Sequence, residues 1–142
     1  MSNFYDIRKV TYDEIKDTFI VTWGGKKFSL FHQKPTIGIS PLGIWIGNWS
    51  NVIQIGFLRW EWINRIDISQ SNGSVFFVLH DFESVYNAII PTFCKFDVNL
   101  HLVLKSDEGK VFAIIGHYFG NDYQCLINII EENNFAEIRI IE

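Results

Sequence analysis

The chain has 142 residues, of which 48% are hydrophobic and 16% aromatic, and its formal net charge at pH 7 is −4. A chain of this length and composition can bury a core of its own, so residues 1–142 are predicted to form one domain and not a disordered tail. Because affinity for phosphate backbones depends on clustered Lys and Arg, the acidic balance excludes nucleic acid as the expected partner.

The charge is distributed unevenly along the chain. Residues 1–70 carry six acidic and eight basic side chains, a sum of +2, whereas residues 71–142 carry ten acidic and four basic ones, a sum of −6. An acidic surface can steer the approach of a basic protein partner, although acids that only keep a surface solvated have the same composition.

The N-terminal segment carries no signal-peptide pattern, since Met1 to Asp6 lack a basic start and an apolar stretch. We therefore expect a cytoplasmic location. Phe4 to Val10 is predicted to be a short strand or extended arm. Thr11 and Glu14 have the spacing of a capping box, which predicts one helical turn after Thr11.

Strands are predicted where β-branched and aromatic residues run between turn residues. In chain order they cover Thr18–Trp23, Lys26–His32, Ile44–Ile46, Val52–Trp60, residues 62–68 and Ser74–His80. The first two flank Gly24-Gly25, a pair that favours a tight hairpin turn. Residues 33–43 contain two prolines and two glycines and are predicted to be a loop.

Two helices are predicted in the second half of the chain. Asp81 is a good N-cap for Phe82–Ile90, and Pro91 ends that helix. Leu100–Leu104 and Val111–Phe119 form a predicted hairpin between the helices. The C-terminal helix, residues 122–133, has one apolar face that must be buried: Tyr123, Leu126, Ile127 and Ile130. Its opposite face is polar and acidic: Asp122, Asn128, Glu131 and Glu132.

Phe135 to Ile141 is predicted to be a last strand or a packed tail. The elements together predict an α+β fold, in which a mostly antiparallel, bent sheet of about six to eight strands is packed by the two helices. Two cysteines, Cys94 and Cys125, have apolar neighbours and are predicted to be buried thiols without a disulfide.

The stretch from Pro35 to Leu58 contains no charged residue. Its prolines, glycines and amides interrupt it too often for a membrane-spanning helix, and strands fit it better. This region contributes to a dense aromatic segment: Trp45, Trp49, Trp60 and Trp62. We favour core packing for these rings, and a stacking platform for a sugar or peptide stays an alternative.

Residues with catalytic or metal-binding chemistry are scattered. Four histidines stand singly: His32, His80, His101 and His117. None has a second ligand at helical metal-site spacing, and His80-Asp81 is better explained by the capping role of Asp81. Cys94, Asp97 and His101 lie among apolar residues and favour core packing over a thiol nucleophile. We therefore predict no cofactor, no metal and no enzymatic activity, although carboxylates that meet only in space stay possible in principle.

The run from Gly56 to Ile68 resembles small bacterial pleckstrin-homology-like proteins, in which a strand ending in Trp precedes an acidic residue and paired isoleucines. The order of elements over about residues 43–134 is similar too. The resemblance implies a strongly bent antiparallel sheet, capped by a C-terminal helix, that serves as a binding scaffold. Lys26-Lys27 has no further Lys or Arg close by, which counts against phosphoinositide binding.

Two functions follow as hypotheses. A small, acidic domain without chemistry of its own resembles bacterial immunity proteins, which bind and neutralise a cognate toxin. The predicted partner is then a basic toxin domain, and the contact residues are Asp122, Glu131 and Glu132. The alternative is a pleckstrin-homology-like adaptor that binds a peptide or a lipid headgroup. We do not expect membrane contact for the immunity function, and the sequence leaves the oligomeric state open.

Overall fold

The computed structural model describes residues 10–24, 35–46, 56–71, 73–89, 103–106, 109–114 and 123–141. These residues form an α+β fold with three α-helices, two 3₁₀ turns and nine strands. The helices are α1 Tyr12–Ile15, α2 Phe82–Ile89 and α3 Tyr123–Glu132, and the 3₁₀ turns are Lys16–Thr18 and Trp60–Trp62. The strands are β1 Val21–Gly24, β2 Pro35–Ser40, β3 Gly43–Ile46, β4 Gly56–Arg59, β5 Ile63–Ser69, β6 Val75–Leu79, β7 Val103–Ser106, β8 Gly109–Ile114 and β9 Ile138–Ile141.

The strands divide into two sheets. The first sheet is antiparallel, with the order β1-β2-β3-β4, and the second has the order β7-β8-β6-β5-β9. Among the strand pairs of the described residues, only β5–β9 is parallel. The sequence predicts one bent sheet, and this detail is wrong for the described residues because Trp60–Trp62 forms a 3₁₀ turn between β4 and β5. A 3₁₀ turn interrupts the extended backbone that a continuous strand requires.

The helix starts agree with the predicted capping signals. The backbone N–H of Glu14 donates to Thr11 Oγ1 (3.3 Å), and the N–H of Thr11 donates to Glu14 Oε1 (2.8 Å). These two bonds form the predicted capping box. At α2, the N–H of Ser84 donates to Asp81 Oδ1 (3.2 Å), so Asp81 caps that helix as predicted.

The predicted loop over residues 33–43 is wrong, because its centre is the strand β2. Pro35 is the first residue of that strand, a position at which the missing N–H is tolerated. Gly38 lies within the strand, and this position requires glycine because a Cβ there would be 2.8 Å from the ring of Phe19. β2 is the partner of β1. The predicted hairpin partner of β1, Lys26–His32, and most of Phe4–Val10 lie outside the described residues.

The main hydrophobic cluster contains residues of both sheets, of α2 and of α3. Trp60 and Trp62 belong to it, and both are buried. Trp45 is buried in a second cluster, in which Val10, Ile15 and Phe57 also lie. Core packing is therefore confirmed for these three tryptophans, and Trp49 lies outside the described residues.

The second cluster also includes the rings of Tyr12 and Phe19. Tyr12 makes an edge contact with Trp45, with 5.5 Å between ring centroids. Burial raises the pKa of the Tyr12 phenol. The segment that contains α1 and its 3₁₀ turn thus packs on Trp45 and Phe57 of the first sheet.

In the uncharged stretch Pro35–Leu58, the described residues form β2, the turn at Pro41-Leu42, β3 and most of β4. Among the described residues, none of the helices has the length and apolar character that crossing a membrane requires.

Candidate functional site

The candidate site is built on α3, whose apolar face is buried in the main hydrophobic cluster. Leu126 and Ile130 are 0% exposed and Ile127 is 6% exposed. Their spacing of one, three and four residues places them on one side of the helix, as the sequence predicts. The packing fixes which side of α3 faces the solvent.

The C-terminal end of α3 is held by a Schellman motif. Asn134 has a left-handed backbone, with φ of 56°. The N–H of Phe135 donates to the carbonyl of Ile130 (3.0 Å), and the N–H of Asn134 donates to that of Glu131 (3.1 Å). The helix ends at Glu132, one residue before its predicted end at residue 133. The last turn therefore has a defined geometry and is not frayed.

Trp60 contacts both this helix end and the first sheet. Its ring stacks on Phe135, with 4.9 Å between centroids and 9° between planes. Its Nε1 donates to the carbonyl of Ser40 (2.8 Å), and its backbone N–H donates to the carbonyl of Leu42 (3.2 Å). The β2–β3 turn and the end of α3 thus contact the same buried side chain.

The polar side of α3, which we call the α3 face, consists of four exposed residues: Gln124, Asn128, Glu131 and Glu132. Gln124 Nε2 donates to Asn128 Oδ1 (3.0 Å). Within the part of the chain that the structure describes, neither Glu131 nor Glu132 has an ion-pair partner. Both carboxylates are therefore available to cations of another molecule. Asp122, the third predicted contact residue, lies outside the described residues.

An exposed apolar side chain lies on the turn that Trp60 links to this helix end. Leu42 is 54% exposed, the highest value among the large hydrophobic residues described. Its exposure was not predicted, although a proline followed by Leu42 between two strands is a turn signal. A single exposed leucine is common on ordinary surfaces, and leucine is under-represented among the residues that dominate binding energy, so Leu42 alone does not indicate an interface.

The prediction that Cys125 is buried is wrong, because the structure places it on the exposed side of α3. Helical geometry explains the difference. Successive residues are about 100° apart around a helix, so a residue next to the buried Leu126 can lie on the polar side. The other cysteine, Cys94, lies outside the described residues.

A buried ion cluster joins β5 to β9, and it was not predicted from the sequence. The Asp67 side chain is 8% exposed, and its carboxylate accepts hydrogen bonds from the guanidinium groups of Arg65 and Arg139. Arg65 donates from Nε (2.9 Å) and Nη2 (3.3 Å), and Arg139 donates from Nε (3.2 Å) and Nη2 (2.9 Å). The available sequence signal was an acidic residue flanked by isoleucines in β5 and a basic residue flanked by isoleucines in β9. Only the parallel pairing of Asp67 with Arg139 brings the two side chains together.

The residues considered for catalysis and metal binding are only partly described. His80 is exposed, and Asp81 is engaged as the cap of α2. His32, Cys94, Asp97, His101 and His117 lie outside the described residues. In the ranges that are described, no three His, Cys, Asp or Glu side chains are grouped so that they could hold a metal ion.

Comparison with known proteins gives no match to a family model, to a curated protein or to a solved structure. The α3 face is therefore assessed by its own geometry. It offers two carboxylates, unpaired within the described ranges, on a helix that is fixed by a buried apolar face and by a capped C-terminal end.

Proposed function

We propose that this chain is a non-catalytic protein-binding domain, and specifically a bacterial immunity protein that binds and neutralises a cognate toxin with a basic surface. The observation that carries the proposal is the α3 face. Glu131 and Glu132 are exposed and have no ion-pair partner among the described residues, while Leu126 and Ile130 anchor the helix in the core.

The packing of α3 makes this face suitable for recognition. Because the helix is already ordered, little backbone entropy is lost when it binds, and the two carboxylates extend from a backbone of defined geometry. The sum of −6 over residues 71–142 supports long-range attraction of a basic partner. Glutamates that engage the Lys and Arg with which a toxin holds its substrate would block that toxin without any chemistry.

The double substitution E131K/E132K is expected to slow association with the cognate toxin by about tenfold or more at low salt, because it replaces attraction by repulsion at the contact surface. The toxin would be recovered by pull-down from the native host and by co-expression of neighbouring genes. Stopped-flow association rates and protection of growth are the two measurements. Wild-type association should also slow as salt increases.

A matched control separates the α3 face from net charge alone. The substitution D13K/D17K changes the net charge by the same amount at exposed residues near the N-terminus. It is expected to have a much smaller effect on association than E131K/E132K. Unchanged protection in E131K/E132K would remove both glutamates from the contact surface, and equal effects of the two double variants would leave only non-specific steering.

A second candidate function is an adaptor on a pleckstrin-homology-like scaffold. It is favoured by the order of elements, in which the antiparallel sheet β1–β4 is followed by a second sheet and by α3, whose apolar face packs in the shared cluster. The resemblance ends near residue 134, and β9 lies beyond it. Such a scaffold would bind a peptide at a sheet edge or a lipid headgroup.

Vesicle flotation distinguishes the lipid-binding form of the adaptor from the immunity protein. For an immunity protein with net charge −4 and an acidic α3 face, we expect no flotation with anionic vesicles at low ionic strength, because the charges repel. Neutral vesicles are the control for binding that does not depend on charge. Flotation with anionic but not neutral vesicles, reversed by salt, would favour the adaptor.

A further inference from the structure

We propose that the outer edge of β9 is a self-association site, at which a second copy of this chain adds its own β9 in antiparallel orientation. The two second sheets would then form one continuous sheet across a twofold axis. This inference does not depend on the proposed toxin partner, since it concerns a different element and a different ligand, namely the same chain.

The hydrogen bonds between β5 and β9 show which backbone groups face outward. The N–H of Ile66 donates to the carbonyl of Glu137 (2.8 Å), and the N–H of Gln70 donates to that of Ile141 (2.8 Å). Backbone groups alternate in direction along a strand, so residues 137, 139 and 141 face β5, whereas Ile138 and Ile140 direct their N–H and C=O groups away from it. No described strand pairs with this outer side.

The side chains of β9 are unusual for a solvent-facing edge. Ile140 is 46% exposed, whereas its neighbour in the parallel register, Ile68, is 0% exposed. Ile138 is only partly buried against the main cluster. An edge strand that offers unpaired backbone groups and exposed isoleucine is a template for another strand, and antiparallel addition would cover Ile140.

The charges of β9 and the residue before it identify a second copy as the occupant. In an antiparallel pair centred on Ile138, Glu137 of each copy lies opposite Arg139 of the other, so the twofold axis creates two ion pairs. The register centred on Arg139 would instead place two guanidiniums opposite each other, and the register centred on Ile140 would place each Arg139 opposite Ile141, without an ion pair. Arg139 contacts Asp67 through Nε and Nη2, and its Nη1 donors are left for Glu137.

Sedimentation velocity from about 1 μM to about 1 mM covers the range in which a weak interface is half-formed, and it should detect a dimer whose fraction rises with concentration. Ile140→Lys and Glu137→Arg should each raise the dimer dissociation constant about tenfold or more, because they put charge on the apolar contact or like charges opposite each other. The matched controls are Ile20→Lys, at a residue 50% exposed in the first half of the chain, and Glu131→Arg on the α3 face.

Hydrogen exchange identifies the edge directly. The amides of Ile138 and Ile140 should exchange more slowly as the concentration rises, whereas those of Ile66 and Gln70, which are bonded within one chain, should not change. Circular dichroism of each variant confirms that it is folded. A chain that is monomeric throughout this range, a dimer that both edge variants leave intact, or concentration-independent exchange at Ile138 and Ile140 would overturn the proposal.

Discussion

Asp67→Asn is expected to lower the free energy of unfolding by about 3–5 kcal/mol, because it removes the anion from a buried ion cluster and leaves two guanidiniums facing each other. Arg65, whose side chain is 12% exposed, would lose the carboxylate that accepts from its Nε and Nη2 at a place with little access to water. The measurement is urea unfolding, in which the midpoint should fall while the slope stays unchanged. Hydrogen exchange should also accelerate at Gln70, which donates to β9.

The two arginines provide graded controls for the Asp67 prediction. Arg139 is 53% exposed, so Arg139→Gln should cost only about 0–1 kcal/mol, since Arg65 still pairs with Asp67 and the surface pair contributes little. Arg65→Gln should cost more than Arg139→Gln, because the lost charge is the buried one. If Asp67→Asn costs less than about 1 kcal/mol, water must solvate this cluster and the burial argument fails.

Elements with a strong local signal could be predicted from the sequence. The N-cap Asp81 and the apolar spacing of the following residues indicate α2, and the buried spacing from Leu126 to Ile130 indicates α3. The antiparallel pairing of β7 with β8 agrees with the predicted hairpin. In each case, the residues that determine the element lie close together in the sequence, so no knowledge of the rest of the fold is needed.

Elements determined by distant contacts could not be predicted. Two prolines near β2 indicate a loop locally, but its pairing with β1 and β3 and the contact of Phe19 with Gly38 make it a strand. The parallel pairing of β5 with β9 joins residues 72 positions apart, and the Asp67 cluster depends on it. Sequence patterns do not specify such pairings, because many alternative partners satisfy the same alternation.

The candidate site was predictable in part, because its exposed side follows from local helical spacing. The spacing of Glu131 and Glu132 against Leu126 and Ile130 placed them on the solvent side of a helix, and the structure confirms their exposure. The link from the end of α3 through Trp60 to Leu42 was not predictable, since it depends on contacts between segments far apart in the chain. The sequence also cannot determine whether exposed acids bind a partner.

Trp62→Ala is expected to lower the free energy of unfolding by about 3–5 kcal/mol, the usual cost of removing a buried aromatic side chain and leaving a cavity. Trp62 is 0% exposed and is among the largest fully buried side chains in the described residues. Thermal and urea unfolding give this value directly. Because Trp62 packs in the cluster that joins both sheets with α2 and α3, loss of cooperativity in the transition would be a further sign of the cavity.

Phenylalanine at each of the two neighbouring tryptophans tests what the indole N–H groups contribute. Trp60 Nε1 donates to the carbonyl of Ser40 (2.8 Å), whereas Trp62 Nε1 is buried and has no hydrogen-bond partner among the described residues. A buried hydrogen bond contributes about 0.5–1.5 kcal/mol, and an unpaired buried donor is itself destabilising. Trp60→Phe should therefore cost about 1 kcal/mol more than Trp62→Phe, although Trp62 is the more deeply buried residue. The opposite order would mean that the Trp62 N–H does find an acceptor in solution, such as a buried water molecule.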